Sequence, residues 1–215
     1  MPFIEDILKY KSISFVGMEK NAGKTQTLNY VLSRLRTFSK TIALTSIGVD
    51  GETLDIVTNT SKPEIEIYPN TTFITSQALY PQREIVSAIE EVSNQTTALG
   101  RLIQARAITQ GKILLAGPSD TISLKKLIEK LEKNIDLILI DGALSRKTFG
   151  SPSITQAMIL STGASLSASL NVVVKKTKFI YQMTQLPQYE GKFAEQLQQI
   201  ENGIDAITDE GIKDL

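Results

Sequence analysis

Glycines, a lysine and a threonine in one short run are the residues whose types and spacing most clearly imply chemistry. The run extends from Gly17 to Thr25 and ends in Gly-Lys-Thr. It follows the apolar stretch 13–16 and precedes a segment with apolar residues at helical spacing. A glycine-containing loop between a strand and a helix can direct its backbone N–H groups at a phosphate, and the helix adds its positive dipole end. The pattern therefore predicts a phosphate-binding loop (P-loop).

The prediction gives each residue of the loop a role. Lys24 would reach the β- and γ-phosphates of a nucleotide, and the Thr25 hydroxyl would bind Mg²⁺. The first glycine of the usual pattern is replaced by Met18, and a glycine stands one residue earlier, at Gly17. The residues predicted to bind nucleotide are Gly17, Lys20, Asn21, Ala22, Gly23, Lys24, Thr25 and Gln26.

A second signal is the apolar run 137–140, which ends in Asp141 and Gly142. An acid at the end of a buried strand is the Walker B arrangement, in which the carboxylate binds Mg²⁺ or orients its water shell. Asp-Gly after a strand is also a common plain turn. Because parallel strands end at one edge of a sheet, we expect Asp141 to lie near Lys24 and to share a magnesium ion with Thr25.

Two further polar segments follow predicted strands. The segment 45–52 carries Asp50, which would support Mg²⁺ or position the attacking water or hydroxyl, or would simply belong to a polar turn. We therefore predict Lys24, Asp50 and Asp141 as catalytic residues and Thr25, Asp50 and Asp141 as metal ligands. Arg146 and Lys147 follow Asp141 closely and would either meet an anionic substrate or form a solvated loop.

Composition limits the chemistry. The 215 residues contain 23 Lys and Arg, 23 Asp and Glu, and neither Cys nor His. Thiol and imidazole catalysis and cysteine or histidine metal sites are therefore excluded, and zero net charge gives no general attraction to nucleic acid or to an anionic membrane. The first residues do not resemble a signal peptide, and no apolar run approaches bilayer length. We expect a cytoplasmic protein that binds neither nucleic acid nor membrane.

Alternating apolar patterns predict an α/β fold. The doubly wound, mostly parallel sheet would be of the P-loop NTPase type, with helices on both faces. We predict one domain over 1–187, with an excursion at 52–80, and a helical or irregular appendage over 188–215. The predicted strands are 13–16, 41–46, 73–75, 98–107, 112–116, 137–141 and 157–161, with a short extended piece at 65–68. The predicted helices are 25–36, 81–91, 123–133, 168–185 and 192–200.

The order of the motifs along the chain resembles that of a known class of proteins. A P-loop, an acidic loop after the second strand and the strand end 139–143 together resemble the dethiobiotin synthetase/MinD-like P-loop proteins. The resemblance implies ATP and Mg²⁺ as cofactors. Glu19 occupies the place of the MinD signature lysine, which argues against a MinD-like dimerising switch. The guanine-reading motif Asn-Lys-x-Asp is absent, which favours ATP and leaves GTP open.

A narrower resemblance involves three segments, 16–25, 45–52 and 160–164. They are similar to the ATP-binding subunit of lysine aminomutase reactivases. That resemblance implies that nucleotide turnover drives the exchange of damaged cobalamin on a partner enzyme, together with a second subunit.

Three functions remain open at this point. The first, which we expect, is a Mg²⁺-dependent ATPase that acts on a protein partner. The second is a small-molecule kinase or ATP-dependent ligase of the dethiobiotin synthetase type, and the third is a nucleotide sensor without turnover. A homodimer is compatible with each of them.

Overall fold

The computed structural model describes residues 3–47, 64–142 and 154–185, together with residue 187 and residues 190–193, 205–208 and 211–214. Contacts between Cα atoms divide the chain into two units, Met1–Val173 and Val174–Leu215. The boundary falls inside the last helix, whereas the sequence predicted a break after residue 187. The large sheet and all the site residues described below belong to the first unit.

Strands and helices alternate over much of the first unit. The strands are β1 (Ser12–Gly17), β2 (Ile42–Ser46), β3 (Ile65–Ile67), β4 (Thr72–Ser76), β5 (Ser87–Thr97), β6 (Gly100–Ala107), β7 (Gly111–Ile113), β8 (Leu137–Asp141), β9 (Ala157–Ser161), β10 (Asp205–Thr208) and β11 (Gly211–Asp214). The helices are α1 (Ile4–Ile7), α2 (Lys24–Leu35), α3 (Thr121–Leu131) and α4 (Leu170–Thr184), and a 3₁₀ turn covers Tyr80–Gln82.

Seven strands form one mixed, mostly parallel sheet in the order β5-β6-β4-β2-β8-β1-β9. The four pairings from β4 across to β9 are parallel, and the two that add β6 and β5 are antiparallel. The carboxyl ends of β2, β8, β1 and β9 therefore meet at one edge. This α/β architecture agrees with the sequence prediction.

Alternate residues of the central strands bury their side chains on opposite faces of the sheet. On one face, Phe15 and Leu139 pack in a cluster with Leu28 and Leu32 of α2. On the other face, Ile138 and Ile140 pack with the buried stripe of α3, which consists of Leu124, Ile128 and Leu131. Residues 137–140 read as a continuous apolar run because both faces are covered. The sheet is thus held between α2 and α3, which fixes the ends of β1 and β8.

The predicted helix over 81–91 is wrong. The structure has the 3₁₀ turn Tyr80–Gln82 and then β5, which forms an antiparallel hairpin with β6. The segment contains good helix formers, but Ile89 lies opposite Ala105 and Glu90 pairs with Arg106 across the hairpin. Contacts between strands therefore outweigh the local preference for helix.

The strand predicted over 112–116 is shorter in the structure and does not belong to the large sheet. It covers Gly111–Ile113 as β7, which pairs with β3 in a separate two-stranded sheet. Of the predicted excursion over 52–80, residues 65–67 and 72–76 are β3 and β4, and residues 52–63 lie outside the described residues. Of the predicted helix over 192–200, only 192–193 are described, as a turn. Strands β10 and β11 form a hairpin that the sequence did not predict.

Helix α4 carries the predicted apolar stripe, but none of its residues is buried. Leu170, Phe179 and Tyr181 are each more than half exposed. Within the described residues, no helix combines the length and apolar character needed to cross a bilayer.

Asp120 is the N-cap of α3 and gives a pH-dependent prediction. Hydrogen bonds from the Ser123 main-chain N–H and hydroxyl hold the pKa of its carboxyl below the usual range. A lowered folded-state pKa stabilises the fold above the unfolded pKa, and this stability is lost as the pH falls through the folded pKa. We expect Asp120→Ala to lower the free energy of unfolding by about 1 kcal/mol at neutral pH.

Urea unfolding at several pH values checks this prediction. The difference between the native chain and Asp120→Ala should shrink below about pH 4, where the unfolded carboxyl is protonated. Asp120→Asn is the matched control, because Asn caps a helix as well as Asp but carries no charge. It should retain most of the stability. A constant difference between native and Asp120→Ala across the acid range would contradict the role of the charge.

Candidate functional site

The loop between β1 and α2 has backbone angles that depend on its glycines. Gly23 is the N-cap of α2 and has φ of 89°, a left-handed conformation that L side chains rarely adopt. Gly17 lies close to the rest of the loop, since a Cβ built on it would be 3.3 Å from the Glu19 carbonyl oxygen. Asn21 also has a positive φ, of 61°. The chain therefore turns tightly enough to bring the N-terminus of α2 beside the end of β1.

The N-terminus of α2 presents main-chain N–H groups that are not bonded to any other described residue. Gly23 provides no side-chain cap. Within the described residues, no acceptor is bonded to the main-chain N–H groups of Asn21, Gly23, Lys24, Thr25 or Gln26. Such groups, together with the positive end of the helix dipole, form a favourable site for an anion.

Hydrogen bonds fix both ends of this loop. The Met18 N–H donates to the Ser161 carbonyl oxygen of β9 over 2.9 Å, and the Ala22 N–H donates to the Glu19 carbonyl oxygen over 3.2 Å. The Thr27 hydroxyl donates to the Gly23 carbonyl oxygen over 3.0 Å. The loop is therefore held by β9 on one side and by the first turn of α2 on the other.

Lys24 and Asp141 form the central contact of the site. Lys24 Nζ lies 2.7 Å from Asp141 Oδ1, and the two side chains are only 19% and 11% exposed. Partial exclusion of water strengthens the attraction between opposite charges. The sequence prediction that these residues lie close together is therefore confirmed as geometry.

The main chain at Asp141 is bonded to both neighbouring strands. The Ser46 hydroxyl donates to the Asp141 carbonyl oxygen over 3.0 Å, and the Ile47 N–H donates to the same oxygen over 3.2 Å. On the other side, the Gly142 N–H donates to the Phe15 carbonyl oxygen over 2.9 Å. The end of β8 is thereby fixed between β2 and β1. The main chain that carries the Asp141 carboxylate therefore has a defined position.

The residues present are compatible with a magnesium ion that also binds phosphate. Among the described residues, no group of three or more metal-ligating side chains occurs. Mg²⁺ bound with a nucleotide needs only one or two protein oxygens, because phosphates and water complete its octahedral shell. The Thr25 hydroxyl, which belongs to a nearly buried residue, and the Asp141 carboxylate supply oxygens of the required type.

The other predicted site residues differ in how they are placed. Lys20, Asn21 and Gln26 are exposed, and Ala22 is half-buried. Asp50, Arg146 and Lys147 lie outside the described residues.

Ser46 and Gly117 also lie at this edge of the sheet. Ser46 belongs to the predicted polar segment 45–52 without a role of its own there, and Gly117 was not predicted. A Cβ built on Gly117 would be only 1.6 Å from the Ser46 carbonyl oxygen, so the two backbones are in direct contact. For Gly117 the signal in the sequence is the pair Gly117-Pro118 after an apolar run, which by itself indicates a turn.

Comparison with known proteins finds no family model, curated protein or solved structure that matches this chain.

Proposed function

We propose that this chain is a cytoplasmic P-loop nucleotide-binding protein, a Mg²⁺-dependent ATPase that acts on a protein partner. The observation that carries the proposal is the 2.7 Å contact between Lys24 Nζ and Asp141 Oδ1. It joins a glycine loop at a helix N-terminus to the acid at the end of the adjacent parallel strand. Phosphoryl transfer from a nucleotide needs a cation for the phosphates and a carboxylate for the metal, and this site contains one of each side by side.

Each part of the site has a distinct task in this proposal. The free N–H groups at the start of α2 would bind the phosphate oxygens, and Lys24 would neutralise charge on the β- and γ-phosphates. Thr25 and Asp141 would hold Mg²⁺, which when bound neutralises charge on the phosphate oxygens. Catalysis would then rest on positioning and electrostatic stabilisation, which suits a chain without Cys or His.

The resemblance to the reactivase subunits suggests a cobalamin-dependent aminomutase as the partner, with a second subunit. In that case phosphate release from ATP should accelerate when the partner is added. A kinase or ligase would instead need a metabolite to form ADP, and a sensor would bind nucleotide with Mg²⁺ without turnover.

Calorimetric titration with ATP and GTP, with and without Mg²⁺, tests the proposal. We expect the native chain to bind ATP more tightly than GTP, and more tightly when Mg²⁺ is present. In Asp141→Asn, the factor by which Mg²⁺ tightens ATP binding should fall about tenfold. Without Mg²⁺ this variant should bind ATP at least as well as the native chain, because Asp141 no longer competes with phosphate for Lys24.

Asp136→Asn is the matched control for this titration. Asp136 immediately precedes the same strand, at the opposite edge of the sheet, and its carboxylate lies 3.9 Å from Lys40. Its substitution should leave the effect of Mg²⁺ unchanged. Absence of nucleotide binding by the native chain would contradict the proposal, as would a native response to Mg²⁺ in Asp141→Asn.

A further inference from the structure

The segment that follows β7 crosses the end of β2. The Thr75 hydroxyl of β4 donates to the Leu114 carbonyl oxygen over 2.7 Å, and the Ala116 N–H donates to the Ile74 carbonyl oxygen over 3.3 Å. These bonds hold residues 114–116, here called the crossing segment, along the end of β4. Gly117 then lies directly against Ser46, where a Cβ would meet the Ser46 carbonyl oxygen at 1.6 Å.

Ser46 transmits this contact to the acid of the site. The residue is 3% exposed and is the last of β2, where it lies opposite Asp141 of β8. Its hydroxyl donates to the Asp141 carbonyl oxygen, and the next N–H, of Ile47, donates to the same oxygen. A continuous set of contacts therefore leads from Gly117 through Ser46 to Asp141, and from the Asp141 carboxylate to Lys24.

We propose that Ser46 is a positioning residue for Asp141, and that the crossing segment holds Ser46 in place through Gly117. The role rests on the proposed function, because it concerns the carboxylate that would hold Mg²⁺. Ser46 acts through the main chain of Asp141, so removal of its hydroxyl should change the metal response without removing any ligand. Residues that orient a metal-binding carboxylate commonly contribute strongly to metal affinity, although they do not touch the metal themselves.

Ser76 provides a matched control. It is the last residue of β4, on the strand next to β2, and it is fully buried. Within the described residues its hydroxyl has no hydrogen-bond partner. Ser76→Ala therefore makes the same chemical change as Ser46→Ala, also at the last residue of a strand, without breaking a bond to Asp141.

Hydrogen exchange measures the positioning directly and does not require a nucleotide. The reporting N–H groups are those of Ile47, which bonds the Asp141 carbonyl oxygen, and of Gly142, which bonds Phe15. We expect Ser46→Ala to accelerate exchange of the Ile47 N–H about fivefold, the equivalent of one lost hydrogen bond of ordinary strength. Gly142 should follow in the same direction, and Ser76→Ala should leave both rates at their native values.

Titration of the same variants with ATP measures the consequence. In Ser46→Ala we expect the tightening of ATP binding by Mg²⁺ to fall about tenfold, while the dissociation constant without Mg²⁺ stays at its native value. Ser76→Ala should retain the full effect of Mg²⁺.

The outcomes separate this role from the proposed function. Unchanged exchange at Ile47 in Ser46→Ala would overturn the positioning role, as would faster exchange with an unchanged Mg²⁺ effect. Equal losses in Ser46→Ala and Ser76→Ala would overturn it too, because the hydroxyl bond to Asp141 would then not be the cause. If the native chain binds no nucleotide, the proposed function falls, and the exchange rates alone decide whether Ser46 positions the main chain of Asp141.

Discussion

Replacement of Lys24 with Ala is expected to weaken ATP binding about 100-fold, the equivalent of one charge-assisted hydrogen bond of about 3 kcal/mol. Lys24 begins α2, beside main-chain N–H groups that can bind phosphate but carry no full charge. Among the described residues, Lys24 is the cation in ion-pair contact with Asp141, so the substitution removes a full positive charge from the site. Calorimetry with ATP and Mg²⁺ measures the change.

The same substitution should also lower stability, because the mostly buried charge of Asp141 loses its ion pair with Lys24. We expect a loss of about 2 kcal/mol, less than for a fully buried pair since both side chains retain some exposure. The double variant Lys24→Ala/Asp141→Asn should recover much of this stability and still bind ATP weakly. That combination separates lost binding from lost folding.

Lys40→Ala is the matched control for Lys24→Ala. Lys40 also has an Asp as its neighbour, Asp136, but at the opposite edge of the sheet and with both side chains nearly half exposed. ATP affinity should stay within twofold or so of the native value, as for other surface substitutions. Equal ATP affinity in the native chain and Lys24→Ala would rule out the P-loop interpretation.

The largest effect on stability is expected from Gly117→Ala. The new Cβ would lie 1.6 Å from the Ser46 carbonyl oxygen, 2.7 Å from the Ser46 carbonyl carbon and 2.9 Å from Thr45 Oγ1. Two of these atoms are backbone of a central strand and cannot rotate away, so either the crossing segment or the end of β2 must move. We expect a loss of about 3 kcal/mol, at the upper end for overpacking. Thermal unfolding should shift downward by about 10 °C.

Gly163→Ala is the control for this substitution. Gly163 follows β9 at the same edge of the sheet, and a Cβ built on it would meet no atom within 4 Å. Its effect should remain within about 0.5 kcal/mol. A melting temperature of Gly117→Ala equal to that of Gly163→Ala would show that the crossing segment yields without cost, and Ser46 would then lack the support described above.

The sequence predicted the proximity of Lys24 and Asp141 better than it predicted the surrounding sheet, for a physical reason. Strand, glycine loop and helix are consecutive in the chain, so local residues determine the conformation from Gly17 to Thr25. Asp141 is distant in sequence, but parallel strands must end at one edge, and the apolar run before it identified the strand. The proximity of Lys24 and Asp141 therefore followed from two local patterns and one topological rule.

The errors arise where partners distant in the chain decide the structure. Residues 81–91 include good helix formers, yet Ile89 pairs with Ala105 and the segment becomes part of a hairpin. Gly117 has no positive φ of the kind that a turn would require. Glycine is needed there because a Cβ would collide with Ser46, which is distant in sequence. Such constraints come from tertiary contacts between distant elements, so the pattern of a single sequence does not indicate them.

The order of strands in the sheet has a consequence for synthesis of the chain. Strands β2, β4, β6 and β5 are neighbours in space and lie within residues 42–107, so they can pair as soon as that stretch has emerged from the ribosome. Strand β1 emerges earlier, but its neighbours in the sheet are β8 and β9, more than a hundred residues later. Contacts so distant in sequence form slowly, and domains begin to fold from the N-terminus during translation.

All six residues of β1 are buried in the finished sheet, so a nascent chain must carry them unpaired until β8 has been made, and without their second neighbour until β9 ends at residue 161. The loop that follows β1 receives its hydrogen bond from β9 only then. A chain interrupted before this point would therefore expose an aggregation-prone strand and would lack the site. The ability to bind a ligand would appear only when β1 has paired with β8 and β9.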